Sequence, residues 1–254
     1  MITNGINFKN FLINKKSKQI TIILNHILNK KNQVIQSLSS NYKDSFNIKI
    51  LNKYKKFKNF RVIGIGGSSL GTEAIYNFLR KKIKKNFSFI NDLDFTTENK
   101  KDKNCLNLIV SKSGETLETI VNSNLIINKK DKNLVITENK DNYLHKLAKK
   151  LKAEVIHHNN FIGGRYSVLS EVGMLPAELM GLKPASFRQL NQIIKNKTFL
   201  NSLVNNVGSI VSLINRKKFN CIFLNYDPDL TNFLEWYKQL MGESLGKNNK
   251  TYFG

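Results

Sequence analysis

Acidic side chains are scarce in this sequence. Asp and Glu number 18 against 41 Lys and Arg, which leaves a formal net charge of +23. Such an excess attracts anions. The lysines are spread along the whole chain among asparagines and isoleucines, however, and no aromatic-basic recognition motif accompanies them. A compositional bias accounts for the charge, so no specific nucleic-acid partner is expected, while the positive field suits small phosphorylated substrates. Cysteine is almost missing. Cys105 and Cys221 each sit in an apolar, strand-like run and read as buried free thiols of a reducing compartment. No stretch approaches ~20 uninterrupted apolar residues, which excludes a transmembrane helix from the expectation. The opening MITNGINFKNF lacks the basic segment, apolar block and cleavage site of a secretory signal, so a cytoplasmic location is expected. There is no short tandem repeat and no low-complexity linker. Nor is there a clustered Cys/His ligand set: His157 and His158 are adjacent and read as structural or exposed, and neither a metal nor another cofactor is expected.

What is present is an alternation. The 254 residues, 41% hydrophobic, suffice for one large domain or two small ones. Residues 1–54 read as a helical N-terminal segment, with apolar positions at helical spacing over 20–38. Then strand-like runs (60–66, 87–95, 104–110, 133–138, 153–158) alternate with helical patterns (68–83, 115–130, 141–151). Strands alternating with helices predict an α/β fold, a parallel sheet sandwiched by helices. A glycine loop then runs into a helix over 159–182. Residues 183–218 read as helical, 220–227 as a renewed strand and 230–247 as a further helix. The expected division is 1–54, 55–182 and 183–254.

Four segments carry chemistry. GIGGSSLG (64–71) takes a strand through glycines into a helix, where close backbone approach and free N–H groups favour an anion. A dinucleotide site would need an acidic residue at the end of the next strand, where only Asp92 or Asp94 offers itself, and no Gly-Lys-Ser/Thr ends the turn as in a Walker loop. SKSGETLET (111–119) holds four hydroxyls in nine residues. Ser113 alone would serve as an N-cap. Ser111, Ser113 and Thr116 together, with Lys112, are more than a cap needs and point to a phosphate pocket. GGRYS (163–167) sets Arg165 after two glycines, either at a cleft or as a surface arginine after a turn. LEWYKQLMGESLGK places Gln239 and Glu243 one helical turn apart. A carboxylate near the negative end of a helix is destabilised as an anion and makes a better base; the competing reading is a solvated glutamate.

Taken in order and spacing, GIGGS, SKSGET, GGRYS and QLMGESLGK resemble the glucose-6-phosphate isomerase family over roughly residues 55–250. The resemblance implies a pair of sugar-isomerase domains, the first at 55–182 and the start of the second at 183–254. It implies that Ser111, Lys112, Ser113 and Thr116 grip the sugar phosphate, with Gly67 and Ser68 beside them. Arg165 and Gly164 would stabilise negative charge on the reacting oxygens, Glu243 would be the catalytic base, and Gln239 would line the pocket. The residue types suit that chemistry. Aldose–ketose interconversion moves a proton between adjacent carbons through an ene-diolate, which one carboxylate can serve while a fixed guanidinium holds the oxyanion. A phosphate grip at the far end of the sugar orients it. The expected ligand is a small sugar phosphate, and the family implies a homodimer.

Family members are considerably longer. Their remaining part carries a ring-opening histidine, which in the dimer reaches the partner's active site, and a C-terminal lysine. His26, His145, His157 and His158 all precede Glu243 and cannot match that histidine. The chain therefore reads as a fragment or the product of a truncated gene. Little isomerisation by it alone is expected, as is exposure of Ile222, Leu224, Phe233 and Trp236. The alternative reading is a non-catalytic sugar-phosphate-binding domain.

Overall fold

The computed structural model describes residues 18–30, 32–93, 104–128, 130–218 and 220–246. Five strands form one all-parallel sheet: β1 (Asn59–Ile63), β2 (Asn86–Ile90), β3 (Cys105–Val110), β4 (Lys132–Thr137) and β5 (Glu154–His157), in the order β2-β1-β3-β4-β5. The α/β reading is borne out. β3 shows why its sequence is a continuous run rather than an alternation: all six of its residues are buried, because helices cover both faces of the sheet. The helices are α1 (Lys18–Asn29), α2 (Gln33–Ser37), α3 (Ile48–Leu51), α4 (Leu70–Phe78), α5 (Leu117–Ile126), α6 (Tyr143–Leu151), α7 (Glu171–Leu179), α8 (Leu190–Ile193), α9 (Lys197–Asn215) and α10 (Thr231–Leu245).

The sheet lies in one compact unit, Lys43–Pro184 with Leu224–Leu240. On one face Ile63, Ile109 and Val135, one from each of three neighbouring strands, pack with Leu144 and Ala148 of α6. On the other face Phe60 stacks on Phe87 with ring centres 4.6 Å apart, and Tyr76 of α4 leans on Phe87. Each fully buried aliphatic side chain here contributes roughly 1.5–3 kcal/mol through its removal from water.

Strand order decides where the loops go. From β1 the chain turns outward to β2, and from β3 it turns the other way to β4. Ile63 and Ile109 are register partners. The turn after β1 and the turn after β3 therefore leave side by side in opposite directions, which opens a crevice at the carboxyl ends of the two strands.

The second unit comprises the described parts of Met1–Tyr42, Ala185–Phe223 and Met241–Gly254. The Arg188 guanidinium lies 4.8 Å over the Tyr42 ring, and Leu190 N donates to Leu38 O at 3.1 Å. Ile20 of α1 reaches Gly208 of α9.

Several sequence expectations are revised. The helical pattern over 20–38 divides into α1 and α2, the latter capped by Asn32 through Val34 N at 2.8 Å. The strand expected over 87–95 ends at Ile90; Asp94 and Phe95 lie outside the described residues. The strand expected at 220–227 does not form. Among the described residues no strand lies beside it, so its backbone has no ladder partner. Ile222 and Leu224 are 82% and 75% exposed. Phe233 is also exposed and Trp236 half-buried. Cys105 and Cys221 are both free thiols, but only Cys105 is buried; Cys221, in the irregular 220–227 segment, is half-buried. Among the described residues no helix is long and apolar enough to cross a membrane.

Candidate active site

The turn after β1 begins with a close approach. Gly64 N donates to Ile90 O at 3.1 Å, and the Gly64 Cα faces the Val110 carbonyl at the end of β3. Gly66 has φ +56°, a left-handed conformation that L side chains avoid, and Gln239 of α10 lies over it: a Cβ at Gly66 would stand 2.7 Å from Gln239 Nε2. Gly67 is pressed against the backbone of Gly164 and Arg165, and a Cβ there would overlap the Gly164 carbonyl group and stand 2.6 Å from Arg165 N. Only glycine allows this contact, because backbone cannot move aside as a side-chain tip can. Ser167 closes it: its Oγ lies 3.1 Å from Gly67 O and 2.7 Å from Gly164 O. The first turn, the GGRYS backbone and Gln239 are thus gathered at one place. Ser68 sits half-buried in this turn, its N–H donating to Ile65 O at 3.2 Å.

The loop after β3 is organised by its own hydroxyls. Ser111 is buried, its Oγ 2.8 Å from Thr116 Oγ1 and accepting from Gly114 N at 3.2 Å. Ser113 is exposed and accepts from Glu115 N at 3.1 Å. The N-cap of α5 is Thr116, not Ser113, and no side chain caps this helix. Its first N–H groups have no intrahelical acceptor and point toward the loop, where an anion would complete them. Lys112 is turned to the neighbouring segment: Nζ donates to Asn160 O at 2.8 Å and pairs with Glu138 at 3.4 Å. Burial would push the Glu138 carboxyl up, but Lys140 and Lys112 outweigh it and hold the group below the usual range.

Arg165 is half-buried, its guanidinium 4.7 Å over the Tyr166 ring, in the short 3₁₀ turn Gly164–Leu169. Glu243 is exposed on α10, one turn beyond Gln239 and within the second compact unit. Asp92 is exposed just past β2. His157 is exposed, whereas His158 is buried. Desolvation lowers the His158 pKa to about 4 and keeps the ring neutral, with the charge of Lys112 acting in the same direction and the Asn159 carbonyl partly opposing.

Three residues escaped the sequence reading. Ser167 belongs to the GGRYS segment, and only the fold reveals its two carbonyl partners. Asn142 caps α6 through His145 N at 2.9 Å, donates to Thr137 Oγ1 at 3.2 Å and lies against Gly114. N-cap preference for Asn at the start of a helical pattern was the available signal. Glu171, fully buried, accepts from Asn159 N at 2.5 Å and so holds the loop that leads to Gly163.

A family model described as phosphoglucose isomerase matches residues 9–251. The chain belongs to the phosphoglucose isomerase family. A glucose-6-phosphate isomerase of Methanocaldococcus jannaschii is 35% identical over 217 residues, covering 78% of this chain and 54% of that protein. One from Aster yellows witches'-broom phytoplasma is 32% identical over 241 residues, covering 82% of this chain and 56% of that protein. The chain spans about half the length of the curated relatives it matches. A crystal structure of a hypothetical protein from Thermus thermophilus superposes with a TM-score of 0.70 at 22% identity, covering 93% of this chain and 62% of that one. A tagatose-6-phosphate ketose/aldose isomerase from Escherichia coli does so with a TM-score of 0.54 at 16% identity, covering 80% and 60%. Both share the fold. The phosphoglucose isomerase relatives do not favour the reading of a non-catalytic binding domain.

Proposed function

We propose that this chain contributes to an aldose–ketose isomerase that interconverts glucose 6-phosphate and fructose 6-phosphate, with residues 55–182 acting as its first sugar-isomerase domain. The observation that carries the reading is the convergence at the carboxyl ends of β1 and β3. There, an uncapped helix N-terminus ringed by hydroxyls lies beside a glycine turn that is tied to the Arg165 segment.

The phosphate is held by Ser111, Ser113 and Thr116 and the first N–H groups of α5, with Ser68 and Gly67 flanking it. Lys112 contributes by linking this loop to Asn160 as well as by its charge. At the other end of the sugar, Arg165 and the Gly164 backbone stabilise negative charge as the ene-diolate forms, and Gln239 orients the hydroxyls. Glu243 takes the proton from one carbon and returns it to the next. A homodimer and a cytoplasmic location belong to the same reading.

The direct test is calorimetry of the 254-residue chain with fructose 6-phosphate, alongside a coupled assay for glucose 6-phosphate. Saturable binding lost on Ser111→Ala/Ser113→Ala/Thr116→Ala substitution is the expected result. Affinity unchanged in that variant would place the phosphate elsewhere.

A further inference from the structure

A cavity of about 620 Å³ opens at the amino ends of β4 and β5, the opposite end of the strands from the turns described above. Its size falls in the range of small-molecule sites, roughly 300–1,000 Å³. Five lysines line it, Lys53, Lys56, Lys130, Lys132 and Lys152, against two carboxylates, Asp131 and Glu154.

Both carboxylates are already engaged. Glu154 pairs with Lys53 at 2.9 Å and accepts from Tyr54 OH at 2.7 Å. Asp131 Oδ2 accepts from Asn128 N at 3.0 Å and from the buried Asn107 Nδ2 at 3.4 Å. Asn107 also donates to Asn133 Oδ1 at 2.9 Å, and Asn133 Nδ2 returns to Asp131 O at 3.0 Å. A polar row thus runs from β3 to the start of β4 and ends in the cavity wall. Among the described residues no carboxylate forms an ion pair with Lys56, Lys130, Lys132 or Lys152. Lys152 is further held in the left-handed conformation, φ 51° and ψ 39°, at the end of α6. Glycine or asparagine takes that position at least cost, so a lysine there is strained.

We propose that this cavity is an anion-binding site that takes a compact polyphosphate: both acids already have hydrogen-bond partners in the wall, and five lysines against two carboxylates leave a surplus of three positive charges for a ligand. A single phosphate would neutralise only part of that charge, whereas a chain of two or three phosphates meets the separate lysines at once.

The test is calorimetric titration of the full chain with inorganic tripolyphosphate at fixed ionic strength. Lys130→Glu/Lys132→Glu/Lys152→Glu is expected to weaken binding about tenfold or more. Lys81→Glu/Lys82→Glu/Lys84→Glu, three exposed lysines elsewhere on the same unit, removes the same charge and is expected to change affinity by no more than about twofold. Amine-reactive labelling read by mass spectrometry needs no variant; tripolyphosphate should protect Lys56, Lys130, Lys132 and Lys152 selectively. The proposal is overturned by an absence of saturable binding, by equal losses in the two variants, by affinity unaffected by the cavity substitutions, or by uniform protection of lysines across the chain.

Discussion

The Ser167 hydroxyl lies within hydrogen-bonding reach of the Gly67 carbonyl at 3.1 Å, across 100 residues of sequence, while remaining 2.7 Å from Gly164 O in its own turn. This one side chain couples the turn after β1 to the segment that carries Arg165. Ser167→Ala should destabilise the protein by about 1–2 kcal/mol and weaken fructose 6-phosphate binding through misplacement of Arg165. Urea unfolding and calorimetry check both; unchanged values would reduce the bond to a bystander.

Gly67 and Gly242 offer a matched pair. A methyl at Gly67 meets the Gly164 carbonyl group and Arg165 N, whereas at Gly242, in α10, it meets nothing within 4 Å. Gly67→Ala should cost ~1–3 kcal/mol or more from backbone displacement. Gly242→Ala should stabilise by roughly 0.5–1 kcal/mol, the helix preference of alanine over glycine. The melting temperatures of the two variants should therefore move in opposite directions.

Within the hydroxyl loop Ser111 and Ser113 should separate. Ser113 is exposed and Ser111 buried. Ser111→Ala should lower stability by about 1 kcal/mol, because Gly114 N loses its acceptor, and should lower sugar-phosphate affinity too. Ser113→Ala should lower affinity with little change in stability. The measurement is binding and unfolding on the same preparations.

In the complete enzyme to which this chain is proposed to contribute, turnover should divide between two residues. Glu243→Gln is expected to lower kcat by ~10²-fold or more, since an amide does not accept the proton, with KM nearly unchanged. Arg165→Lys keeps the charge but loses the planar fork, so it should impair kcat more than binding of an open-chain substrate analogue. Wild-type turnover in either variant would remove that residue from the chemistry.

Buried His158 makes stability pH-dependent. Its folded pKa, about 4, lies below its ordinary 6.5, so the unfolded chain binds a proton that the folded chain refuses. The stabilisation is fully present above pH ~6.5 and is lost as pH falls through that value toward 4. His158→Asn should flatten this part of a stability-versus-pH curve measured by chemical denaturation. A slope that persists would assign it to other groups.

Much of this was legible in the chain. Runs such as CLNLIV are apolar at nearly every position because both sheet faces are covered, so β3 could be placed almost to the residue. The 220–227 run carried a similar pattern and formed no strand, since periodicity does not report whether a neighbour is available for pairing. Ser113 looked like a cap, but Thr116 holds that position because the loop's hydroxyls bond each other before the helix begins. Lys112 looked like a ligand for phosphate, and its bond to Asn160 O depends on β4 and β5 lying where they do.

The sequence by itself determined the parallel α/β class, the residue types of the four motifs and the family to which they belong, because local patterns and their order along the chain are sequence properties. The tertiary structure alone decided the strand order β2-β1-β3-β4-β5 and, through it, the crevice. Contacts such as Gly67 against Gly164 and Gln239 over Gly66 join segments about 100 and 170 residues apart. Their cause is steric and topological: two turns that leave a sheet in opposite directions leave a gap, and only backbone without a Cβ can approach closely enough to line it.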